Sequence, residues 1–187
     1  MNYFAEFDEI HAMAEYIILN ETEDAAEEEV RNMLIEAYIR GRKKTCDDLD
    51  WDWTDYYLLG WDEWEREVIY KEIAGKTFAD RVREHFRNMD VEGLTRTIVT
   101  EFHRDFETGG HDQAKVIEKE SGHKVKKIWN TVGDDRVRET HDYIHGMTAL
   151  DDSRFYTFDG DSARFPGDFE KPDNNIGCRC WLTYRWM

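Results

Sequence analysis

Residues that could bind a metal or transfer a proton are concentrated in two short stretches near the C-terminus. The first, "DDRVRETHDYIHG" over residues 134–146, holds two histidines four positions apart, and the second is "CRC" over residues 178–180. Imidazole nitrogen and thiolate sulfur are donors that Zn²⁺ prefers in tetrahedral sites. His141, Cys178 and Cys180 are therefore candidate ligands of a structural zinc ion.

The same three residues also fit a metal-free interpretation. A buried cysteine behaves as a small apolar residue, and a histidine that faces a core is commonly satisfied by ordinary hydrogen bonds. Zinc fingers use C-x₂₋₄-C spacing, whereas a C-x-C pair only places two side chains on one face of a strand. His145, Asp134 and Asp135 are further candidate ligands. Spacing alone therefore leaves metal binding and core packing as open alternatives.

A catalytic interpretation uses the histidines and arginines of the same stretches. His141 or His145 has the chemistry of a general base. Arg138 or Arg179 could stabilise an oxyanion or a phosphate, although both could equally pair with nearby aspartates and hold loops in place. Such a His/Arg cluster would suit a small nuclease or a nucleotide transferase.

Glu101 and His103, in "TEFHRDF", form a second candidate acid and base pair. However, the sequence contains no G-x-S-x-G, P-loop, H-E-x-x-H or G-x-G-x-x-G motif. We therefore predict a protein that is not an enzyme, with the nuclease or transferase as the alternative.

The elements that must position these residues begin with helices. Apolar residues recur at helical spacing in two sets, which are Ile10, Met13, Ala14, Ile17 and Ile18, then Val30, Met33, Leu34, Ala37 and Tyr38. Asn20 with Glu23 has the outline of a capping box, which predicts a break between two helices. Gly41 is a candidate C-cap for the second helix.

More helices are predicted up to about residue 108. A stripe at helical spacing ends at Gly75 and consists of Tyr57, Trp61, Trp64 and Val68. The tryptophan-rich segment 51–64 fits either a core or an interface. Thr77 and Asp80 have capping-box spacing, and Asp90 is a candidate cap for the following helix.

The pattern changes after "ETGGHD" at residues 107–112. We expect a short helix over residues 113–120, a strand in "KVKKIWNTV", and a helix that aligns Val137, His141 and Ile144. The stretch "FYTFDGDSARFPGDFEKPDNN" predicts a hairpin or long loops. The terminal "CRCWLTYRW" alternates like a strand and is expected to pair with the first strand.

These elements predict an α+β protein with a helical N-terminal region followed by a compact module. The module is expected to combine a small antiparallel sheet with a short motif helix. We place an acidic helical region at residues 1–108, for docking or oligomerisation, and the C-terminal module at residues 109–187.

The charge of the chain is unevenly distributed. The net charge is −17 over 187 residues, and residues 1–70 hold 20 Asp and Glu against 6 Lys and Arg. Such an acidic region repels duplex phosphate and anionic lipid and favours a basic protein surface as its partner. No apolar run approaches the roughly 20 residues of a membrane span. We therefore expect a protein partner and no membrane.

The most basic stretch lies in the second half of the chain. Lys124, Lys126 and Lys127 could make weak contacts with DNA that depend on salt and ignore base sequence. Acidic residues alternate with lysines nearby, so an ordinary solvated face explains the same pattern.

Two stretches together resemble a known family. "KIWNTVGDDRVRETHDYIHGM" followed by "FYTFDGDSARFPGDFEKPDNNIGCRCWLTY" is similar to the C-terminal signature of the phage Mu F-like minor head proteins, also called phage head morphogenesis proteins. The matching positions are Trp129, Thr131, Asp135, Arg136, Val137, Arg138, His141, Gly146, Phe155, Pro166, Gly167, Cys178, Arg179 and Cys180. The likeness extends over roughly residues 95–185.

The resemblance implies a minor structural component of a tailed phage or prophage head. It implies a role in head assembly, portal association, or genome packaging and delivery, with portal, capsid or scaffold proteins as partners. The protein would be present in the host cytoplasm during assembly and afterwards in the virion, inside the capsid. The motif positions above would then be structural residues, because the resemblance implies no catalytic function.

Overall fold

The computed structural model describes residues 3–53, 75–150 and 152–187, with side chains described from residue 7. The helices are α1 (Tyr3–Asn20), α2 (Glu23–Leu49), α3 (Phe78–Arg87), α4 (Val91–Ser121), α5 (Glu139–Tyr143) and α6 (Pro172–Asn175). The strands are β1 (Val125–Asn130), β2 (Thr148–Leu150), β3 (Phe155–Tyr156), β4 (Ser162–Ala163) and β5 (Trp181–Trp186).

The chain divides into two compact units, which we call the helical unit and the mixed unit. The helical unit comprises Met1–Glu36 and Asp55–Glu101, and the mixed unit comprises Ala37–Thr54 and Phe102–Met187. The predicted division after residue 108 remains a prediction. The predicted stripe of Tyr57, Trp61, Trp64 and Val68 lies outside the described residues.

Hydroxyl and carboxylate caps define the helix ends in the helical unit. The predicted break near residue 20 is confirmed, but the capping residue is Thr22, whose hydroxyl accepts a hydrogen bond from the backbone N–H of Ala25 at 3.3 Å. Asn20 instead donates to the Tyr16 carbonyl at 2.9 Å. The capping box of Thr77 with Asp80 at the start of α3 is confirmed.

The next helix start, at α4, also follows the prediction. One carboxylate oxygen of Asp90 accepts the backbone N–H of Gly93 at 2.9 Å, and the other lies 2.9 Å from His85 Nδ1. These bonds lower the pKa of Asp90, with the Gly93 bond as the larger cause. A charged carboxylate at this end also interacts favourably with the helix dipole.

The prediction that Gly41 ends α2 is wrong, because the helix continues to Leu49. Gly41 lies inside α2 where a Cβ atom would stand 1.8 Å from the carbonyl oxygen of Phe106 in α4. The glycine therefore permits two helix backbones to touch.

The predicted interruption at Gly109 and Gly110 is also wrong, since α4 runs unbroken from Val91 to Ser121. A Cβ atom on Gly109 would stand 2.0 Å from the Tyr38 carbonyl oxygen, and one on Gly110 would stand 3.0 Å from the Thr45 hydroxyl. Glycine costs up to about 1 kcal/mol in a helix relative to alanine. Close packing against α2 compensates for that cost here.

The main sheet of the mixed unit has the strand order β2-β1-β5, and both pairs are antiparallel. The predicted pairing of the terminal strand with the first strand is confirmed, with Trp129 opposite Leu182 and Lys127 opposite Tyr184. Strand β5 begins only at Trp181, so the two cysteines of "CRC" precede it. A two-stranded hairpin, β3 with β4, occupies the predicted loop region.

Carboxylates cover the outer edge of β5. The backbone N–H of Leu182 donates to Glu107 at 3.0 Å, and that of Tyr184 donates to Asp48 at 3.0 Å. The indole N–H of Trp186 donates to the Leu49 carbonyl at 2.9 Å. An uncovered edge strand would expose these donors to pairing with other chains. Side chains and a carbonyl group of the two long helices thus protect the sheet edge.

The core of the mixed unit lies between the sheet and the long helices. Its largest fully buried side chains include Trp129, Ile117 and Leu182, and the partly buried Trp51 and Trp53 pack against it. Helices with a small antiparallel sheet confirm the predicted α+β class. No helix in the described part of the chain combines the length and apolarity that a membrane span requires.

Candidate metal centre

Helix α5 carries His141 and is held at both ends. Arg138 occupies the N-cap position with extended backbone, and its guanidinium donates to the Ile176 carbonyl at 2.5 Å. Beyond the helix, Gly146 has a φ of +73°, and its N–H donates to the Trp129 carbonyl at 2.8 Å. A positive φ favours glycine, which explains the residue type at this motif position.

The segment before β5 carries Cys178 and Cys180. The N–H of Cys178 donates to the Asn175 carbonyl at 3.1 Å, which fixes the start of the segment to α6. Between the cysteines, the Arg179 guanidinium forms a two-pronged ion pair with Asp134 at 2.7 and 2.5 Å. Alternation of side chains along an extended segment then places both thiols on the opposite side from Arg179.

His141, Cys178 and Cys180 converge in the interior. The Nδ1 atom of His141 lies 3.6 Å from Cys178 Sγ and 3.3 Å from Cys180 Sγ, and the three ligand atoms all lie within 4.8 Å of one another. The side chains are 1%, 1% and 3% exposed. The other ring nitrogen of His141, Nε2, is buried and has no hydrogen-bond partner among the described residues.

Aromatic rings enclose the imidazole. Phe169 stacks on His141 with ring centroids 5.0 Å apart, and Trp129 meets it edge to face at 6.1 Å. Trp129 is fully buried and also packs against Phe155 at 5.2 Å. This apolar wall excludes water from the cluster, which strengthens electrostatic interactions inside it.

Helix α4 contributes two further polar side chains, His103 and Glu107, one helical turn apart. The side chain of His103 interacts with Cys178 and helps to lower the pKa of that thiol. Glu107 is 3% exposed, and its burial raises its pKa to about 7, against the lowering effects of His103 and Lys44. A carboxyl group with that pKa is partly protonated at neutral pH.

The two thiols have divergent acidities. Hydrogen bonds from Cys180 first, and from His103 and His141 next, lower the pKa of Cys178 well below its ordinary value, against the opposing effect of burial. The hydrogen bond to Cys178 and burial raise the pKa of Cys180. Adjacent acids that interact this closely titrate as a pair.

Other predicted candidates lie elsewhere. His145 is exposed, and its Nδ1 accepts the backbone N–H of Thr131 at 3.1 Å. Asp135 is exposed, and Asp134 is the aspartate that pairs with Arg179. Arg136 is exposed as well, with its backbone N–H bonded to Asp134. None of these side chains belongs to the cluster.

The residues of the catalytic alternative make other contacts in the structure. The carboxylate of Glu101 lies 3.7 Å from Arg81, and the acid and base pair of Glu101 with His103 remains a prediction. Arg138 and Arg179 are committed to the contacts described above. The buried position of His141 likewise favours a structural site.

Side chains alternate between the two faces of β1, so the lysines that were predicted to contact DNA differ in exposure. Lys127 is only 2% exposed, and its ammonium group lies 5.7 Å from the Phe155 ring centroid, so its prediction as a surface contact is wrong. Lys124 is exposed and lies 3.6 Å from Glu118. DNA contact by Lys124 or Lys126 remains a prediction.

The alternative that Arg179 pairs with an aspartate is confirmed, with Asp134 as the partner. Sequence reasoning missed Glu107 as a buried neighbour of the cysteines. The i, i+4 spacing of His103 and Glu107 was a usable signal, because it places both on one helix face.

One of the comparisons with known proteins identifies a family. The family model described as Phage Mu protein F like protein matches residues 67–183, which is more than half of the chain. No curated protein and no solved structure matches significantly. The matched range includes the sheet, the motif helix α5 and the "CRC" segment. The chain therefore belongs to the phage Mu F-like family of phage head morphogenesis proteins.

Proposed function

We propose that this chain is a non-enzymatic structural component of the head of a tailed phage or prophage, which docks to the portal or to capsid or scaffold proteins. The family match over residues 67–183 carries the proposal. The chain acts in head assembly, portal association, or genome packaging and delivery. It is present in the host cytoplasm during assembly and inside the capsid of the finished virion.

The acidic helices supply the docking surface. Exposed carboxylates on α1 and the first half of α2 are Asp8, Glu9, Glu15, Asp24, Glu28, Glu29 and Glu36. Three large apolar side chains on α1 are also exposed, Met13 at 42%, Tyr16 at 58% and Leu19 at 62%. Their spacing of three places them along one edge of the helix. A partner with a basic rim around an apolar patch complements this surface.

The buried cluster supports a structural rather than a catalytic function. A catalytic base must reach its substrate within hydrogen-bond distance, directly or through one water molecule. His141 is 1% exposed and enclosed by Phe169 and Trp129. This packing fits a residue that holds segments together.

Binding to purified partners tests the docking proposal. The full chain is mixed separately with the portal, the major capsid protein and the scaffold protein of the same phage, and binding is measured at low and high salt. We expect one of them to bind and the affinity to fall as salt rises, because exposed charges are screened beyond about 10 Å at 0.1 M salt.

Matched charge reversals locate the surface. The triple variant Glu15→Lys, Glu28→Lys and Glu29→Lys should weaken binding at least about tenfold, since reversal replaces attraction by repulsion. The control variant reverses three exposed acids of the mixed unit, Glu139→Lys, Glu170→Lys and Asp173→Lys. Equal effects of the two variants, or no binding to any head protein, would refute docking through the acidic helices.

Turnover assays test the absence of catalysis. The wild type and the variants His141→Ala and Arg138→Ala are incubated with RNA, DNA and NAD. We expect no turnover by any of them. Turnover by the wild type that disappears in folded variants would establish the enzymatic alternative instead.

A further inference from the structure

The buried cluster of the mixed unit has the composition and spacing of a metal site. We propose that His141, Cys178 and Cys180 bind one Zn²⁺ ion and that His103 completes its coordination. The ion would join α4, α5 and the segment before β5. The inference concerns the internal stability of the mixed unit and does not depend on the docking proposal.

The distances agree with tetrahedral coordination. Bond lengths of about 2.3 Å to sulfur and about 2.0 Å to nitrogen imply a nitrogen-to-sulfur separation of about 3.5 Å between two ligands of one zinc ion. The His141 Nδ1 atom lies 3.6 Å from one sulfur and 3.3 Å from the other. The three donors therefore stand at ligand spacing already.

The metal-free interpretation leaves His141 poorly satisfied. A histidine retained in a core for hydrogen bonding is expected to use both ring nitrogens. Here Nδ1 faces two sulfur atoms, which are weak acceptors, and Nε2 has no hydrogen-bond partner within the described residues. Burying such a group without a strong partner is costly. A zinc ion bound at Nδ1 would give that nitrogen a strong partner in place of two weak ones.

The C-x-C spacing differs from that of zinc fingers, but the backbone conformation still brings both sulfur atoms to one side. Arg179 points away to Asp134, which places the two neighbouring sulfurs together on the other side. The third donor, His141, comes from α5 and precedes Cys178 by 37 residues. The site therefore does not require ligands that are close together in the sequence. Two thiolates and an imidazole form a soft donor set, which favours Zn²⁺ over Mg²⁺ or Ca²⁺.

His103 is the better choice for the fourth ligand than its neighbour Glu107. The Nε2 atom of His103 is buried, and the His103 side chain interacts with Cys178, whose pKa it helps to lower. One carboxylate oxygen of Glu107 is already bonded to the N–H of Leu182. Zinc-bound histidines commonly have a carboxylate as an outer-shell partner, and Glu107, one turn along α4, fits that place for His103.

Metal content gives the first test. Full-length protein is purified under reducing conditions without added zinc and subjected to elemental analysis. Metal-free protein is then titrated with Zn²⁺ and with Co²⁺. We expect one zinc per chain and a Co²⁺ spectrum with thiolate charge-transfer bands and intense tetrahedral d–d bands. Protein that contains no zinc and binds neither ion would overturn the proposal.

Cysteine variants give the second test. Cys178→Ser and Cys180→Ser should each lose zinc, whereas the control Cys46→Ser should keep one zinc per chain. Cys46 is equally buried in the same core but does not belong to the donor group. A chelator should lower the Tm of the wild type and of Cys46→Ser. If the Cys178 and Cys180 variants fail to fold, the Co²⁺ spectrum of the wild type and its Tm response still decide the matter.

The assignment of His103 has a separate test. His103→Ala should weaken Zn²⁺ binding by more than the about 10–100-fold typical of an outer-shell residue, and should change the d–d bands of bound Co²⁺. Glu107→Gln, which keeps an acceptor for Leu182, should stay within that range and leave the bands unchanged. An unchanged Co²⁺ spectrum in His103→Ala would exclude His103 as a ligand.

Discussion

The two units of the chain place their polar groups differently. In the helical unit, ion pairs between α2 and α3 lie near the surface, as for Arg83 with Glu27 at 2.7 Å and Arg87 with Glu23 at 2.5 Å. The mixed unit buries Glu107, His111 and His141, each at most 3% exposed. Exposed ion pairs contribute about 0.2–1 kcal/mol each, whereas a buried polar group that loses its partner costs more. The mixed unit should therefore be the more sensitive to single substitutions.

Glycines show the same difference. In α4, the half that belongs to the helical unit contains Gly93, whose added Cβ would meet the side-chain ends of Asp90 and His85. In the mixed unit, Gly41 and Gly109 face carbonyl groups of a neighbouring helix. Side chains can move aside more readily than backbone. Substitutions in the two units should thus differ in cost.

The largest effect is expected from Gly41→Ala. The new Cβ would lie 1.8 Å from the Phe106 carbonyl oxygen, so α2 and α4 must separate. Overpacking of this kind costs about 3 kcal/mol or more, which exceeds the gain of about 1 kcal/mol in helix propensity. Chemical denaturation measures the free energy of unfolding. The control Gly93→Ala should lose less, and equal losses would contradict the proposed difference between the units.

The next effect is a pH dependence from His111. Burial first, and Lys127 second, lower the pKa of His111 to about 4 from its ordinary 6.5, against the raising effect of Asp152. The unfolded chain binds this proton at higher pH than the folded chain. The contribution of His111 to the free energy of unfolding is thus fully present above pH 6.5. It is lost as the pH falls towards 4, by about 3 kcal/mol in total.

Stability measured from pH 4 to 7 in the wild type and in His111→Gln isolates this contribution. Lys115 and Asp152 also interact with His111. The pKa of Glu107 is raised to about 7, so this residue makes the free energy of unfolding fall as the pH rises, opposite to the effect of His111. The difference between the two proteins is therefore the informative quantity. The exposed His123→Gln serves as a control. An unchanged slope in His111→Gln would show that His111 is not the source.

The smallest effect is expected from Thr77→Ala in the helical unit. The substitution removes the hydroxyl that accepts the Asp80 N–H at 3.1 Å, and the loss of such a cap costs about 1 kcal/mol. Thr77→Ser keeps the hydroxyl and should retain most of the stability. Thermal and chemical unfolding measure both variants. A loss as large as that of Gly41→Ala would mean that the helical unit is no more tolerant than the mixed unit.

Local patterns predicted the elements whose signals lie within a few residues. The capping box of Thr77 and Asp80, the cap at Asp90 and the alternation of the terminal strand are such cases. The predictions at Gly41 and at Gly109 and Gly110 failed, because glycine normally marks a helix end or a turn. Only contact with a second helix explains glycine in these positions.

The candidate site likewise has features that the sequence predicted and others that it did not. The residue types of His141, Cys178 and Cys180 identified them as soft ligands, and the family signature grouped them with Trp129, Gly146 and Arg179. Sequence could not place Lys127 inside the core, since an alternating strand has two faces and only packing selects the buried one. Nor could it choose between Asp134 and Asp135 as the partner of Arg179.

The sequence by itself determined the family, the α+β class and the acidity of the N-terminal region, because these follow from residue types and short-range periodicity. The tertiary structure decided that His141, Cys178 and Cys180 lie together, and that Glu107 and Asp48 cover the edge of β5. Such contacts join segments that are tens of residues apart. Their formation depends on how the long helices pack against the sheet, which no local pattern encodes.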